Sequence, residues 1–402
     1  MESTADLGCY IEDCHFQGSY SIHQQIFDQG ITHSRPQLQR NRRNRILLYP
    51  GSFNPPHQAH QELLYQAFSR SQDLNVIAAI VILLDDEDVA QKCQGSRVFT
   101  KDQRVRLWRG EYVPHDWLWV YDRSVEEWGY FRQRLTLAIC RDGFDIGFTV
   151  LLGPDHIRRT FPPHWGAWDC DEILVGNAGR VADFTSSHGR LLRIEDCEDW
   201  EAVVENEDQM HQRALRTVAW CPTSLNMLGE KAMSCAQQED PSMFGRLLKE
   251  CLLEYFEQLE GVKVCHRKQT PKQWIRFIPT TGDPMHISST RIRHLLATCP
   301  REKLYKNLRS LALHPEMLRC IFPEFANIDS MKLWTNRVKD LRSIWSFKHT
   351  TTQSKTRIAY EIGRVCFNGW NVPEVALLLL SFKNRTSGHN NNNRSARSSN
   401  EI

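Results

Sequence analysis

The chain has 402 residues, 41% of them apolar, 24% charged and 10% aromatic; that apolar content excludes a wholly disordered chain and predicts two domains, or one with large insertions. Fifty basic residues against forty-eight acidic ones leave a net charge of +2, so the overall balance points to neither nucleic acid nor a charged membrane surface as a partner. Thirteen cysteines run from Cys9 to Cys366, odd in number and never spaced Cys-x-x-Cys, and they read as reduced, unpaired thiols rather than a disulfide framework.

The amino-terminal stretch carries Glu2 and Asp6 and no basic-then-apolar run, which fits neither a secretory signal nor an Arg-rich mitochondrial presequence. Residues 1 to 30 contain five acidic and no Lys or Arg side chains, and residues 31 to 45 contain five arginines and no acid. Residues 1–44 therefore read as a polar, disordered leader. Arg40, Arg42, Arg43 and Arg45 are open to three readings: a solvated linker, a nuclear address or a phosphate-binding strip.

From Arg45 the pattern alternates. Ile46 to Tyr49 reads as a strand ending at Pro50-Gly51, and Leu63, Leu64, Ala67 and Phe68 then share one helical face. Val76 to Leu84 is a continuous apolar run suited to a parallel strand covered on both faces. A helix is expected over Arg104 to Arg109, a strand over Trp117 to Tyr121, and a helix bearing Trp128, Phe131, Leu135, Ala138 and Ile139. Strands follow at Ile146 to Leu152 and Ile173 to Val175, and such alternation predicts a parallel α/β sheet. Residues 181–286 are less regular and read as an exposed insertion, with eight acidic and no basic side chains over 195–208. Inside it, Phe244 to Leu259 follows helical spacing between Ser242 and Gly261, and Val262 to Cys265 and Trp274 to Ile278 suit further strands. Residues 300–382 read as a small helical appendage and 383–402, rich in Asn and Ser, as a disordered tail. The longest apolar runs, Val76–Leu84 and Val375–Phe382, fall far short of the roughly 20 residues that span a bilayer. No membrane anchor is expected, and the location predicted is cytoplasmic, nuclear or both.

Three segments carry the chemistry. Gly51-Ser52-Phe53-Asn54-Pro55-Pro56-His57-Gln58-Ala59-His60 lies where a strand ends and a helix begins, the place where ligands bind in open α/β sheets. Glycine there lets the backbone approach a phosphate, and a helix start offers N–H groups to an anion. His57 and His60 sit one turn apart, which suits two imidazoles on one phosphate or, read alone, two surface residues. His286-Ile287-Ser288-Ser289-Thr290-Arg291-Ile292-Arg293 places hydroxyls at another helix start, suited to capping or to phosphate oxygens. Leu151-Leu152-Gly153-Pro154-Asp155 ends a strand with an acid suited to a ribose hydroxyl, a base amino group or a helix cap.

Together these segments resemble the HxGH-type nucleotidyltransferase superfamily, most closely its nicotinamide or nicotinate mononucleotide adenylyltransferases, over roughly residues 45–296. The first is similar to that family's GxFxPxHxxH signature, the last to its ISSTxIR signature, and Gly153 to Asp155 to its GxD element. Val175 to Arg180, with Asn177, looks like the strand end lining the adenine pocket, and Trp165 resembles a tryptophan near the pyridine base. Ala59 departs from the glycine of many members, and the 181–286 insertion is longer than usual.

The resemblance implies a Rossmann-like, doubly wound parallel sheet, with an insertion and a carboxy-terminal helical appendage. It implies AMP transfer from ATP to a pyridine mononucleotide, by direct attack on the α-phosphate with loss of pyrophosphate. His57, His60 and Arg293 would be catalytic. Gly51, Ser52, Phe53, Gly153, Asp155, Asn177, Ser288, Ser289, Thr290 and Arg293 would bind ATP. The backbone at Ser52 and Phe53 would face the acceptor and Trp165 would lie near its pyridine base; Lys92 and Arg104 are candidates for its phosphate or, read alone, solvated side chains, and Trp119 and Trp128 candidates for stacking on the ring or, read alone, core residues. Mg²⁺ would be held mainly by substrate phosphates, without a protein metal site; nucleic acid is not an expected partner, and an oligomer is possible. The alternatives are CMP or AMP transfer to another phosphorylated acceptor, or an idle nucleotide-binding scaffold. Gly282-Asp283-Pro284-Met285 in place of the Arg-Thr-x-Gly typical of cytidylyltransferases disfavours CTP.

Overall fold

The apolar run Val76–Leu83 becomes β4, an interior strand of an eight-stranded sheet. The computed structural model describes residues 4–16, 26–27, 36–93, 98–110, 116–161, 163–205, 208, 210–211, 213–214, 251–280 and 286–321. These lie in one unit, Met1–Phe325; a second, Ala326–Ile402, falls outside the described residues together with the expected helical residues 358–366 and the tail.

In chain order the elements are β1 (Thr4–Asp6), α1 (Leu7–Phe16), β2 (Gln37–Gln39), β3 (Arg43–Gly51), α2 (Gln58–Ser69), β4 (Val76–Leu83), α3 (Asp86–Lys92), α4 (Lys101–Arg109), β5 (Leu118–Tyr121), α5 (Val125–Arg141), β6 (Asp145–Leu152), β7 (Glu172–Gly176), β8 (Glu201–Ala202), β9 (Lys263–His266), β10 (Trp274–Ile278), α6 (Ser289–Thr298), α7 (Arg301–Leu308) and α8 (Pro315–Ile321). Residues 251–259 are also helical, in keeping with the pattern read there; 242–250 lie outside the described residues.

The main sheet runs β5-β4-β3-β6-β7-β10-β9-β8. Its first six strands are mutually parallel, and β9 and β8 add antiparallel at one edge. Counted along the chain, the six parallel strands cross the sheet as third, second, first, fourth, fifth and sixth. That is the doubly wound, Rossmann-like order, whose reversal falls between β3 and β6 and opens a crevice at the carboxyl ends of those strands.

The two faces follow residue parity, because successive strand side chains point opposite ways. Leu47, Tyr49, Ala79, Val81 and Leu83 pack with α2 and α4. Ile46, Leu48, Ala78, Ile80 and Ile82 pack with Phe131, Leu135 and Ile139 of α5. At the amino edge of the sheet the polar groups are spent on each other. Arg45 Nε and Nη2 donate to Glu172 Oε2 at 2.7 Å and Oε1 at 3.0 Å, and Arg276 pairs with Asp73 at 2.7 Å.

Three expectations change. Residues 4–16 are not a loose polar leader: β1 pairs antiparallel with β2, and Leu7, Ile11 and Cys14 of α1 enter the core beside α5. Their i, i+4, i+7 spacing makes one apolar stripe despite the acidic neighbours. Lys263–His266 and Trp274–Ile278 belong to the main sheet and not to an insertion. Residues 301–321 are helical as expected but not a separate appendage, since Leu304, Leu308 and Leu318 share a buried cluster with Ala59 of α2, Leu107 of α4 and Ile292 and Leu296 of α6. No described helix is long and apolar enough to cross a membrane.

Candidate functional site

β3 ends at Gly51, where a Cβ would lie 2.6–2.9 Å from the ring of Phe53. Only glycine leaves room for that ring, and the chain then turns through a positive φ of 44° at Phe53 itself. A buried aromatic held there is strained, and such strain persists only where its surroundings fix it. Here the ring is wedged edge-on against Tyr49, Trp108 and His60, with centroids 5.0, 5.1 and 5.0 Å away.

The following Asn54-Pro55 peptide is cis. Asn54 Oδ1 accepts from the Phe99 N–H at 2.8 Å, and its Nδ2 donates to Cys93 Sγ at 3.3 Å. His57 then caps α2. Its ring stacks on that of His60, with centroids 3.5 Å apart and planes 14° from parallel. The His57 backbone N–H donates to His60 Nδ1 at 3.3 Å, which leaves the neutral His60 ring its proton on Nε2. Burial, then the nearby Arg180 charge, pushes His57 down to about 4. His60 is held well below its ordinary value by burial, then by His57 and Arg180. Both rings are therefore uncharged near neutral pH.

The second hydroxyl-bearing segment meets this loop. Ser288 caps α6, accepting from the Arg291 N–H at 3.2 Å. Ser289 Oγ donates to Pro55 O at 2.8 Å, and Arg293 donates from Nη1 to Asn54 O at 2.5 Å and from Nη2 to Thr290 Oγ1 at 3.2 Å. Arg293 Nε is buried without a partner among the described residues. Ser288 and Ser289 thus spend their hydroxyls on building the turn, and Arg293 is bonded to Asn54 O and Thr290 with, among the described residues, only its Nε left over.

Gly153 opens a short turn with Pro154–His156 after β6, and Asp155 Oδ2 lies 3.5 Å from Arg180 Nη1. Arg180 thereby links the third segment to the histidines, a role for which the sequence holds no separate signal. Asn177, just past β7, accepts on Oδ1 from the N–H and hydroxyl of Thr280 at 2.8 and 3.0 Å. Lys92 is exposed in the last turn of α3. Trp165 is partly buried against the α5-side core, under the Arg267 guanidinium at 5.6 Å.

Arg104, Trp119 and Trp128 do not border an acceptor. Arg104 has 0% exposure: its guanidinium donates to Phe99 O, Ser52 O and Leu84 O at 3.0, 2.8 and 2.9 Å and to Asp86 Oδ1 at 2.6 Å. A side chain so enclosed braces the loop and is withheld from an acceptor phosphate. Trp119 and Trp128 are core residues on the α5 face, packed with Tyr121 and Phe131. Even spacing along β5 turns Trp119 away from the α2 side, where Phe53 lies. The α2 start also differs from the free anion site expected, because the Gln58 N–H already donates to Leu311 O at 3.0 Å.

Residues 48–124 match the cytidylyltransferase-like family. The matched segment takes in the Gly51–His60 loop, α2, β4 and β5, and it stops short of Asp155 and α6. No curated protein matches the chain. Among solved structures, one similar to it is the Plasmodium falciparum nicotinic acid mononucleotide adenylyltransferase complexed with NaAD, at 10% identity and a TM-score of 0.29, covering 71% of this chain and 98% of that one. So loose a superposition bears on neither mechanism nor substrate.

Proposed function

We propose that this chain transfers AMP from ATP to nicotinamide or nicotinate mononucleotide, forming NAD or its deamido form and pyrophosphate. One observation carries the reading: Arg293 on Asn54 O and Ser289 on Pro55 O pin the hydroxyl-rich start of α6 to the histidine-bearing loop. Both stand at the carboxyl edge of the sheet beside its strand-order reversal, where nucleotides lie in such folds. The cytidylyltransferase-like match supports the transferase half of the reading.

The acceptor phosphate is already a competent nucleophile, so the protein's work is positioning and charge neutralisation. His57 and His60 lie at the α- and β-phosphates, His60 donating from Nε2. Arg293 and Thr290 hold the β- and γ-phosphates, with Ser288 and Ser289 shaping their turn. Gly153, Asp155 and Asn177 border the nucleoside, with Asn177 oriented through its Oδ1 by Thr280. The backbone at Gly51, Ser52 and Phe53 separates the two substrates, with Lys92 toward the acceptor phosphate and Trp165 toward the pyridine ring. Mg²⁺ would be held mainly by the substrate phosphates and would offset their charge there. Among the described residues no three His, Cys, Asp or Glu side chains converge on one point.

Purified protein is incubated with Mg²⁺, ATP or CTP, and a panel of phosphorylated acceptors. ATP with a pyridine mononucleotide yields a dinucleotide and pyrophosphate, and His57→Ala slows this by about 10²–10³-fold, as loss of a transition-state donor does. No product from either pyridine mononucleotide, or product with CTP alone, overturns the proposal.

A further inference from the structure

Gln58 follows the first histidine of the pair, and its contacts run away from the sheet. Its backbone N–H donates to Leu311 O at 3.0 Å, and its Nε2 donates to Arg309 O at 3.0 Å and Ala312 O at 3.4 Å. His57 and Ala312 form an isolated antiparallel bridge. The turn after α7 is thus fastened to the start of α2 by the His57–Ala312 bridge and by the Gln58 side chain, the one side chain there among the described residues that donates to it. Leu311 and Ala312 are buried in the cluster that contains Ala59, Ile292 and Leu296, so the same turn is seated on α6, the helix that carries Arg293.

We propose that Gln58 is a positioning residue, which clamps the 309–312 turn across the start of α2 and thereby fixes the His57 ring. The inference rests on the reading of His57 given above, but the clamp is a matter of geometry. Helix starts leave N–H groups unpaired, and a carbonyl supplied from elsewhere locks both position and direction of the first turn. With the carbonyls of Arg309 and Ala312 both accepting from Nε2, a residue able only to accept at this place repels the turn, and a cation of similar reach replaces the donor.

The test compares Gln58→Glu with Gln58→Lys at pH 8 in the full chain, where the introduced carboxylate is ionised. Gln58→Glu lowers kcat by about tenfold while leaving KM for ATP within about twofold, and Gln58→Lys recovers most of that loss. Independently of any activity, NMR titration of the imidazoles reads the clamp. Groups facing His57 are His60 and Arg180, neither altered by these substitutions. Gln58→Glu shifts the His57 midpoint upward from about 4 as the ring gains water and a nearby anion, and Gln58→Lys does not. Thermal unfolding of the variants separates loss of fold from loss of the clamp. An unchanged His57 midpoint and ring environment in folded Gln58→Glu overturns the inference. An absence of nucleotidyl transfer by the parent overturns the functional reading alone.

Discussion

The rings of His57 and His60 lie face to face, 3.5 Å between centroids and 14° from parallel. Two imidazolium ions could not hold that arrangement without a counter-ion, and with the Arg180 charge nearby both rings remain neutral. An incoming phosphate supplies the missing negative charge, so the pair is a site poised for an anion and costly to protonate in its absence.

That cost is measurable as stability. The folded His57 value of about 4 lies below the ordinary 6.5, so between these limits the unfolded chain binds more protons than the folded one. Stability from this group is fully present above about 6.5 and is lost as pH falls toward 4. Urea unfolding at pH 7 and 4.5 should show a smaller acid loss for His57→Gln than for the parent; equal losses would remove the account of a buried neutral ring.

Arg293 joins two duties that a substitution separates. Arg293→Ala removes both the bond to Asn54 O and the proposed phosphate contact, and turnover falls by about 10²–10³-fold. Arg293→Lys keeps the charge without the fork and falls between the two. Steady-state rates check this, and an alanine variant as fast as the parent contradicts it.

Arg104 is a brace. Arg104→Ala strands the carbonyls of Ser52, Leu84 and Phe99 while the half-exposed Asp86 carboxylate regains water, and it destabilises by about 1–3 kcal/mol, as leaving enclosed acceptors without their donor does. Arg104→Lys recovers only part, because an ammonium cannot reproduce the planar fork. Denaturant midpoints measure both, and a marginal loss in Arg104→Ala would return this residue to the acceptor pocket.

Trp119 answers to packing. Trp119→Ala opens a cavity beside Tyr121 and Phe131 and costs about 3–5 kcal/mol. Trp119→Phe folds with an unchanged KM for the pyridine substrate. A large rise in that KM with intact stability would place Trp119 in the pocket after all.

How far the chain was legible depends on whether local pattern or distant contact decides a residue's fate. β3, β4 and β6 announce themselves by apolar runs, and His57, Ser289 and Arg293 by helix-start chemistry; the structure brings these together at Asn54 and Pro55. Arg104 could not be read, since an arginine between strand and helix is solvated or buried according to four partners drawn from three stretches of chain. Trp119 was misplaced because alternation along β5 gives two faces without saying which one meets the crevice. Gln58 gave no signal: its acceptors lie some 250 positions away in the sequence.

The docking of α1 on α5 has a practical outcome for anyone shortening this protein. A version cut at the first obvious strand, near Arg45, discards Leu7, Ile11 and Leu38 and uncovers the flank of Phe131, Leu135 and Ile139 that they shelter. Such a fragment invites self-association before any question of turnover arises, so the sound starting point for expression lies ahead of Thr4.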